Sequence, residues 1–301
     1  MKQLVILSGK GGTGKTSLTA AFAHLSKNDS HTVQAVFVDA DVDAANLSLV
    51  LQPDQAQPRE FWGGSLAEID QCLCIGCGAC VTVCRYDAVL PDFDHGQVYC
   101  IDPIACDGCA ACAYACPQAA ISMIKQQEGH WFQSETSYGK LFHAELFSGR
   151  ENSGKLVTLV KQMACLNAEE TQSSLIIIDG PPGIGCPVIS ACAGADLGLV
   201  VTEPGMAGLH DLKRVLGTLQ HFRIPTLICI NKWDIYLEGV RQIKEYAEQQ
   251  GIETLGEIPY DDHILGAILQ GLPITVAYPE SPAAKAIHHI WEQVLLRLFK
   301  E

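Results

Sequence analysis

Basic residues are scarce in this chain of 301 residues, which has 20 Lys and Arg against 34 Asp and Glu and a formal net charge of −14. A dedicated nucleic-acid-binding protein needs a basic face for the phosphate backbone, so we expect no nucleic-acid partner. Long apolar runs are also lacking: no stretch of about 18 apolar residues is available to cross a bilayer. The apolar part of the N-terminus is too short for a secretory signal. These absences predict a soluble, cytoplasmic protein without a membrane partner.

Apolar residues make up 48% of the chain and charged residues 18%, which is enough material for a packed core. Short apolar runs alternate with helix-patterned segments, a rhythm typical of a mainly parallel, doubly wound α/β sheet. The predicted strands are Leu4–Leu7, Val33–Val38, Leu175–Ile178, Leu197–Val201 and Thr226–Ile230.

The first apolar run leads directly into a glycine-rich loop of the form G-x-x-x-x-G-K-T, followed by a helical pattern. Glycines allow the backbone to wrap closely around a polyphosphate, and the amides with the helix N-terminus supply hydrogen-bond donors. In this pattern Lys15 reaches the outer phosphates and Thr16 binds Mg²⁺. The predicted nucleotide-binding residues of the loop are Gly9, Lys10, Gly11, Gly12, Thr13, Gly14, Lys15, Thr16 and Ser17.

Carboxylates follow two further strands. Asp39, Asp41 and Asp43 come after the second predicted strand, and Asp179 comes after the wholly apolar Leu175–Ile178. Carboxylates at such strand ends hold Mg²⁺ and handle the attacking water in P-loop enzymes. The alternative for Asp39, Asp41 or Asp43 individually is an acidic helix N-cap.

Ten of the 14 cysteines lie between Cys72 and Cys116, which marks a separate module. In a reducing compartment such a cluster indicates metal ligands rather than disulfides. Two C-x2-C-x2-C-x3-C motifs recur at an offset of 32 residues, an internal duplication that is typical of paired [4Fe-4S] sites in which the fourth cysteine binds the other cluster. This predicts one cluster on Cys74, Cys77, Cys80 and Cys116, and another on Cys106, Cys109, Cys112 and Cys84.

Zinc and disulfides are the alternatives for these cysteines, although zinc sites favour looser C-x2-C pairs. The first motif has Arg85 where the second has Pro117, which leaves the local turn open but not the ligands. Cys72 and Cys100 lie outside the pattern, and Cys72 is an alternative ligand.

Lys10, two residues before Gly12, gives the loop the deviant form of the MinD/ParA/nitrogenase-iron-protein class, which the chain resembles. The resemblance extends to D-x-D-x-x-x-x-N-L at Asp39–Leu47 and D-x-P-P-G at Asp179–Gly183. It implies an ATP-sandwiching homodimer in which Lys10 contacts the partner's phosphates. It further implies that Asp41, with Asp43 as the alternative, orients the attacking water and that the Gly183 amide senses the γ-phosphate.

Asn231-Lys232-Trp233-Asp234 has the N-K-x-D form that recognises guanine in GTPases. In the MinD-like class the corresponding Asn231 contacts adenine, and Ile258–Asp261 with Pro259 resembles the loop that encloses the base. The resemblance therefore favours ATP, with GTP as the alternative.

The cysteine module resembles a bacterial two-cluster ferredoxin inserted into a MinD-superfamily ATPase. The expected organisation is residues 1–59 and 126–301 for the ATPase domain and residues 60–125 for the insert, with Gln126–Phe132 as a return linker. Cys186 lies at the offset from Asp179 at which the nitrogenase iron protein binds a bridging cluster, so a metal role for Cys186, with Cys192 as second ligand, is one hypothesis and simple packing is the other.

Ala286–Glu301 has apolar residues at helical spacing and predicts a helix that packs on the core, with a membrane-binding helix as the alternative.

The predicted function is Mg²⁺-dependent ATP hydrolysis coupled to electron transfer through two [4Fe-4S] clusters, toward an unidentified redox or metallocofactor protein. One alternative is an iron–sulfur cluster carrier or assembly scaffold, which would use shared, labile ligands. Another is a MinD-like positioning switch in which the clusters are structural. An amidotransferase is disfavoured because the chain has no room for a glutaminase domain.

Overall fold

A computed structural model describes residues 1–28, 33–93, 96, 98–150 and 152–299. The chain divides into two compact units. The first comprises Met1–Arg59, His130–Glu145 and Ser153–Glu301, and the second comprises Glu60–Gly129 and Leu146–Asn152.

The elements alternate between strands and helices along most of the chain. In order they are β1 (Lys2–Ser8), α1 (Lys15–Asn28), β2 (Ala35–Asp39), α2 (Leu47–Leu51), β3 (Arg59–Ile69), α3 (Ala79–Val83), β4 (Val89–Asp92), β5 (Val98–Ile101), α4 (Ala111–Ala115), β6 (Ile121–Glu135), β7 (Lys140–Leu146), α5 (Ser153–Glu170), β8 (Leu175–Pro182), α6 (Cys186–Cys192), β9 (Leu197–Thr202), α7 (Met206–His221), β10 (Thr226–Asn231), a 3₁₀ turn (Trp233–Ile235), α8 (Leu237–Gln249), β11 (Glu253–Ile258), α9 (His263–Leu269), α10 (Ile274–Ala277) and α11 (Pro282–Phe299).

The first unit is built on a parallel sheet in the order β11-β10-β9-β1-β8-β2-β7. Strands β2 and β9 are buried along their whole length, as expected where helices cover both faces of a parallel sheet. The register sets Asp39 beside Asp179 and Ser8 beside Pro182. The carboxyl ends of β1, β2 and β8 therefore meet at one edge, and the predicted mainly parallel α/β fold is confirmed.

Helix α11 packs on the core of the first unit. Trp291 is fully buried, and its ring lies 5.0 Å from that of Phe22 on α1. The predicted core-packing helix is thus confirmed over the described residues, although Phe299 is 44% exposed and residues 300–301 lie outside them. No described helix has both the length and the apolar character needed to cross a membrane.

The second unit contains β3, the first part of β6, the antiparallel β4–β5 hairpin and helices α3 and α4, which contact each other. Its small core combines Ala67, Ile69, Val89 and Ile121 with the thiols Cys80 and Cys112. Cysteine side chains therefore supply part of the packing that a domain of this size requires.

The linker predicted at Gln126–Phe132 is wrong, because these residues belong to the long strand β6. Strand β7, which follows a tight turn closed by the Thr136 N–H and the Gly139 carbonyl, was not predicted either. Both strands are rich in polar and charged residues, so their hydrophobic pattern is weak. Pairing with neighbouring strands, rather than local propensity, places them in the sheet.

His143 on β7 should make stability fall in acid. Burial lowers the pKa of His143 to about 4, its Nε2 lies 3.0 Å from Ser134 Oγ, and its ring stacks on Phe132 at 4.8 Å. The unfolded state binds a proton near pH 6.5, so the neutral histidine contributes full stability above that pH and loses it progressively toward pH 4. We expect His143→Gln to reduce the slope of unfolding free energy against pH in this window, by at most about 1.4 kcal/mol per pH unit.

Denaturant titrations of wild type and His143→Gln at several pH values measure this difference and cancel the contribution of carboxylates. Identical slopes would show that His143 is not responsible.

Candidate functional site

The loop between β1 and α1 is held by its own side chains. Ser8 Oγ donates to the Lys10 carbonyl at 2.6 Å and accepts from Lys15 Nζ at 2.9 Å. Gly12 and Gly14 have φ values of +77° and +93°, which favour glycine. Lys15 is only 6% exposed, and burial lowers its pKa while Asp179, Asp41 and Asp39 oppose this effect. The loop therefore presents a buried cation next to three carboxylates.

Gly9 serves packing of the loop. A Cβ on Gly9 would lie 2.2 Å from Asp211 Cβ and 2.7 Å from the Asp211 carbonyl carbon on α7. No side chain fits into that space without moving the helix backbone. Gly9 thus allows the phosphate-binding loop to touch α7.

We expect Gly9→Ala to lower the free energy of unfolding by about 1–3 kcal/mol through overpacking. Gly11→Ala is the matched control, because a Cβ there meets nothing within 4 Å and its φ is not in the left-handed region. Chemical denaturation without nucleotide compares the two variants. Equal stability would mean that the loop shifts freely away from α7.

Asp179 and Asp39 form a buried acidic pair. Asp179 accepts hydrogen bonds from Thr16 Oγ1 at 2.7 Å and Thr19 Oγ1 at 3.2 Å. Burial, reinforced by their mutual repulsion, raises the pKa of Asp39, and burial also raises the pKa of Asp179. Oxygen ligands of this kind suit Mg²⁺, whose charge would offset the repulsion. The donor set at Thr16 and Asp179 therefore fits the predicted ion.

Asp39 also shapes the loop that follows β2. Its carboxylate accepts the backbone N–H groups of Asp41, Asn46 and Leu47 at 3.0–3.1 Å. Asp41 is half-buried, and burial raises its pKa above the usual value although nearby Lys15 opposes this shift. Asp43 is exposed. Of the two candidates for orienting water, Asp41 is the one that lies in the field of Lys15.

Gly183, at the end of β8, donates its N–H to the Ser8 carbonyl at 3.0 Å and has a φ of +87°. The predicted phosphate-sensing amide is therefore tied to the start of the phosphate-binding loop in this structure. Gly183 and Ser8 form a direct backbone link between the two segments.

A cavity beside the loop extends toward the ends of β10 and β11. Asn231 Nδ2 donates to the Thr13 carbonyl at 2.8 Å, and Asp234 Oδ1 accepts the Tyr260 N–H at 2.7 Å. Thr13 Oγ1 is buried without a hydrogen-bond partner among the described residues, as an atom that awaits a ligand would be. Pro259 is not in the cavity wall, which consists of Gly12, Gly14, Ser17, Leu18, Asn231, Lys232, Ile258, Tyr260, Asp261, Asp262, Ile264, Leu265, Ile268 and Ile287.

The hydrogen bond of Asp234 is relevant to which nucleotide base the site could bind. In the N-K-x-D pattern this carboxylate would read guanine, but here it holds the backbone of the loop that encloses the cavity. The preference for adenine over guanine stays a prediction from the family resemblance.

The eight motif cysteines of the second unit line two cavities, four cysteines in each. The last cysteine of each motif directly follows the short helix α3 or α4 and lies in the cavity of the other motif, so that each cavity holds three cysteines of one motif and the fourth of the other. One cavity is lined by Cys74, Cys77, Cys80 and Cys116, and the other by Cys84, Cys106, Cys109 and Cys112.

The backbone repeats along with the cysteines. Gly78 and Ala110 begin α3 and α4 with left-handed φ values of +74° and +65°. Among the described residues, no group of three or more His, Cys, Asp or Glu side chains is close enough together to hold a single metal ion. A cubane takes one thiolate per iron, so sulfurs spread around a cavity fit a [4Fe-4S] group. The thiol donor sets therefore fit the predicted clusters.

The remaining cysteines lie elsewhere. Cys72 is exposed and lines neither cavity, and Cys100 Sγ lies 3.6 Å from the Leu90 carbonyl. Cys186 is exposed at the start of α6, whereas Cys192 is fully buried at the opposite end of that helix. Cys192 therefore cannot bind the same cluster as Cys186, and the hypothesis that Cys192 is the second ligand is wrong.

The strand–loop–helix with Lys15 and Thr16, and the carboxylate of Asp179 beside them, define a P-loop nucleotide-binding protein. The family model described as CbiA, the CobQ/CobB/MinD/ParA nucleotide binding domain, matches residues 4–274. The chain belongs to this family, which confirms the predicted MinD/ParA-type P-loop ATPase.

Known proteins of three kinds are similar to the chain. An uncharacterized protein of Methanocaldococcus jannaschii is 38% identical over 76% of this chain and 78% of its own length. An iron-sulfur cluster carrier protein of Pyrococcus furiosus is 30% identical over 48% of this chain and 53% of its own length. The septum site-determining protein MinD of Pyrococcus horikoshii, solved with Mg-ADP, has a TM-score of 0.59 at 21% identity, covering 97% of this chain and 95% of that one.

The MinD likeness shows the fold alone. The match to the carrier protein involves about half of each chain, so the carrier's activity is not transferred to this protein by similarity alone.

Proposed function

We propose that the chain is an ATP-dependent iron–sulfur cluster carrier, in which nucleotide binding and hydrolysis at the P-loop control the release of clusters held by the cysteine cavities. The observation that carries the proposal is that this chain of the MinD/ParA ATPase family is similar to proteins named as iron-sulfur cluster carriers and also contains two four-cysteine cavities. Complete sets of four thiols hold clusters more firmly than the shared, labile ligands expected of a carrier, so the proposal requires ATP to loosen them. Relatives named as iron-sulfur cluster carrier or cluster transfer proteins support this choice.

In this proposal the nucleotide site hydrolyses ATP. Lys15 and the loop amides bind the phosphates, Thr16 and Asp179 hold Mg²⁺, and Asp41 orients the attacking water. Bound Mg²⁺ neutralises charge on the phosphates. A bound γ-phosphate would accept the Gly183 N–H that the Ser8 carbonyl accepts in this structure. This change of partner would move the segment after β8.

The protein acts as a homodimer in this proposal, with Lys10 of each chain directed at the nucleotide of the other, as in the MinD-like class. The clusters are bound by residues 60–125, the inserted ferredoxin-like domain, with the ligand sets given by the two cavities. Cys186 is an optional further ligand at the dimer, since it is exposed and begins α6 directly after the β8 loop.

The test is transfer from reconstituted protein to an apo-ferredoxin, followed by circular dichroism, with Mg-ATP, Mg-ADP or no nucleotide. We expect the transfer rate to change several-fold with ATP in the wild type and not in Asp41→Asn, which should bind ATP without hydrolysing it. Transfer that ignores nucleotide in the wild type contradicts the proposal. Unchanged iron per dimer in Cys186→Ala would assign Cys186 to packing.

Electron transfer is the second candidate, favoured by the exchange of Cys84 and Cys116 between the cavities, the arrangement of two-cluster ferredoxins. An EPR-monitored redox titration distinguishes it from the first. A midpoint potential that ATP shifts by tens of millivolts, with clusters retained during turnover, favours electron transfer over cluster delivery.

A further inference from the structure

Glu203 lies between two lysines at the edge of the nucleotide site. Its Oε2 is 2.8 Å from Lys10 Nζ, and its Oε1 is 2.5 Å from Lys232 Nζ. The Glu203 side chain is 17% exposed. Burial acts to raise its pKa, but the hydrogen bonds from both lysines outweigh this and hold the pKa below its usual value. Glu203 is thus an anion shared by two cations.

The backbone around Glu203 is closely packed. A Cβ on Gly208 of α7 would lie 2.1 Å from the Glu203 carbonyl oxygen, and Thr202 Oγ1 bonds to the Gly208 carbonyl at 3.3 Å. On the other side, a Cβ on Gly239 of α8 would lie 3.0 Å from the Gly205 nitrogen. Helices α7 and α8 therefore fix the position from which the carboxylate reaches both lysines.

The two lysines come from separate segments of the first unit and meet at one carboxylate. Lys10 lies in the phosphate-binding loop, where its carbonyl is bonded by Ser8, and Lys232 lines the cavity wall beside Asn231. A phosphate oxygen and a carboxylate oxygen are both anionic acceptors for an ammonium group. The Lys10 ammonium group, held at 2.8 Å by Glu203, must loosen that contact to place itself on a phosphate.

We propose that Glu203 is a positioning residue that competes with the phosphates of ATP for Lys10, and so raises the ATP concentration at which the protein forms its ATP-bound dimer. The inference rests on the proposed ATP site and homodimer. A contact that stabilises one position of Lys10 reduces the apparent affinity of any ligand that needs the other position.

Electrostatics gives the sign of the effect. Without the carboxylate, Lys10 and Lys232 leave two positive charges beside the phosphate-binding loop, and polyphosphate is attracted more strongly. The contact is partly exposed, so the effect should shrink as salt rises. We expect Glu203→Gln to lower the half-saturating ATP concentration by about five-fold at low salt, within the range typical of such couplings.

The experiment measures dimer formation by light scattering during titration with Mg-ATP and Mg-ADP. Asp196→Asn is the matched control, because this substitution also removes one negative charge from an ion pair, here with Lys2 at 3.2 Å. Asp196 precedes β9 whereas Glu203 follows it, so the control lies at the opposite end of the same strand. We expect no shift in Asp196→Asn. In a Lys10→Gln background, ATP binding is followed with a fluorescent ATP analogue, because dimer formation itself needs Lys10. There the effect of Glu203→Gln should shrink to the smaller part contributed by Lys232.

Three results would overturn the inference: an unchanged ATP midpoint in Glu203→Gln, an equal shift in Asp196→Asn, or an equal shift in the Lys10→Gln background. Failure of the proposed function looks different, because then the wild type itself would not respond to ATP. Thermal melting without nucleotide verifies that each variant is folded.

Discussion

Replacing Cys80 by alanine should remove one of two clusters, so that iron falls from about eight to about four atoms per chain. Cys80 is 6% exposed and belongs both to the first cysteine cavity and to the small core of the second unit. Cys112→Ala should do the same for the second cavity. Anaerobic purification followed by iron analysis and EPR measures both losses.

The exchange of the fourth cysteine makes this prediction sharper. Cys116 lies in the cavity of Cys80, although in sequence it belongs to the motif of Cys112. We therefore expect Cys116→Ala to abolish the same EPR signal as Cys80→Ala, whereas independent motifs would make it resemble Cys112→Ala. Cys72→Ala is the control and should keep full iron content, because Cys72 is exposed and lies outside both cavities. Full iron content in Cys80→Ala would contradict the cluster assignment.

The second large effect concerns ATP turnover. Lys15→Met should lower kcat for ATP hydrolysis by about 10²–10³, the loss typical when a preorganised charge is removed from a transition state. Lys15 is buried, is oriented by Ser8 at 2.9 Å, and is surrounded by Asp39, Asp41 and Asp179. Phosphate release measures the rate, and a fluorescent ATP analogue reports binding separately.

Lys27→Met is a suitable control for Lys15→Met. It removes the same charge from the other end of α1, where Lys27 donates to the Ser137 carbonyl at an exposed position. Its turnover should stay within two-fold of wild type. Turnover retained in Lys15→Met would exclude the P-loop as the hydrolytic site.

Contiguous motifs were predicted well because their function depends on short spacings. The path from Gly9 to Thr16 lies within one strand–loop–helix unit, and its family was confirmed by the match over residues 4–274. The apolar strand before Asp179 was equally visible, because both faces of a central parallel strand are buried and its sequence is uniformly apolar.

Segments with weak patterns were predicted poorly. Residues 126–132 appeared to be a linker, yet they are part of β6, because a strand rich in polar residues shows little alternation until its neighbours are known. The phosphate-binding role of Gly9 stays a prediction. Its close approach to Asp211 was not predicted, because it depends on a helix about 200 residues away in sequence, a proximity that no local pattern contains.

By itself, the sequence determined the class of the nucleotide site, the α/β fold and the two sets of four cysteines, because these depend on residue type and local spacing. The tertiary structure alone decided that Glu203 bridges Lys10 and Lys232, that Asp234 holds Tyr260, and that Cys186 and Cys192 are too differently placed to act together. The contacts of Glu203 and Asp234 join residues from separate segments of the chain, and they exist only because the order of the parallel strands brings the ends of those segments to one edge of the sheet.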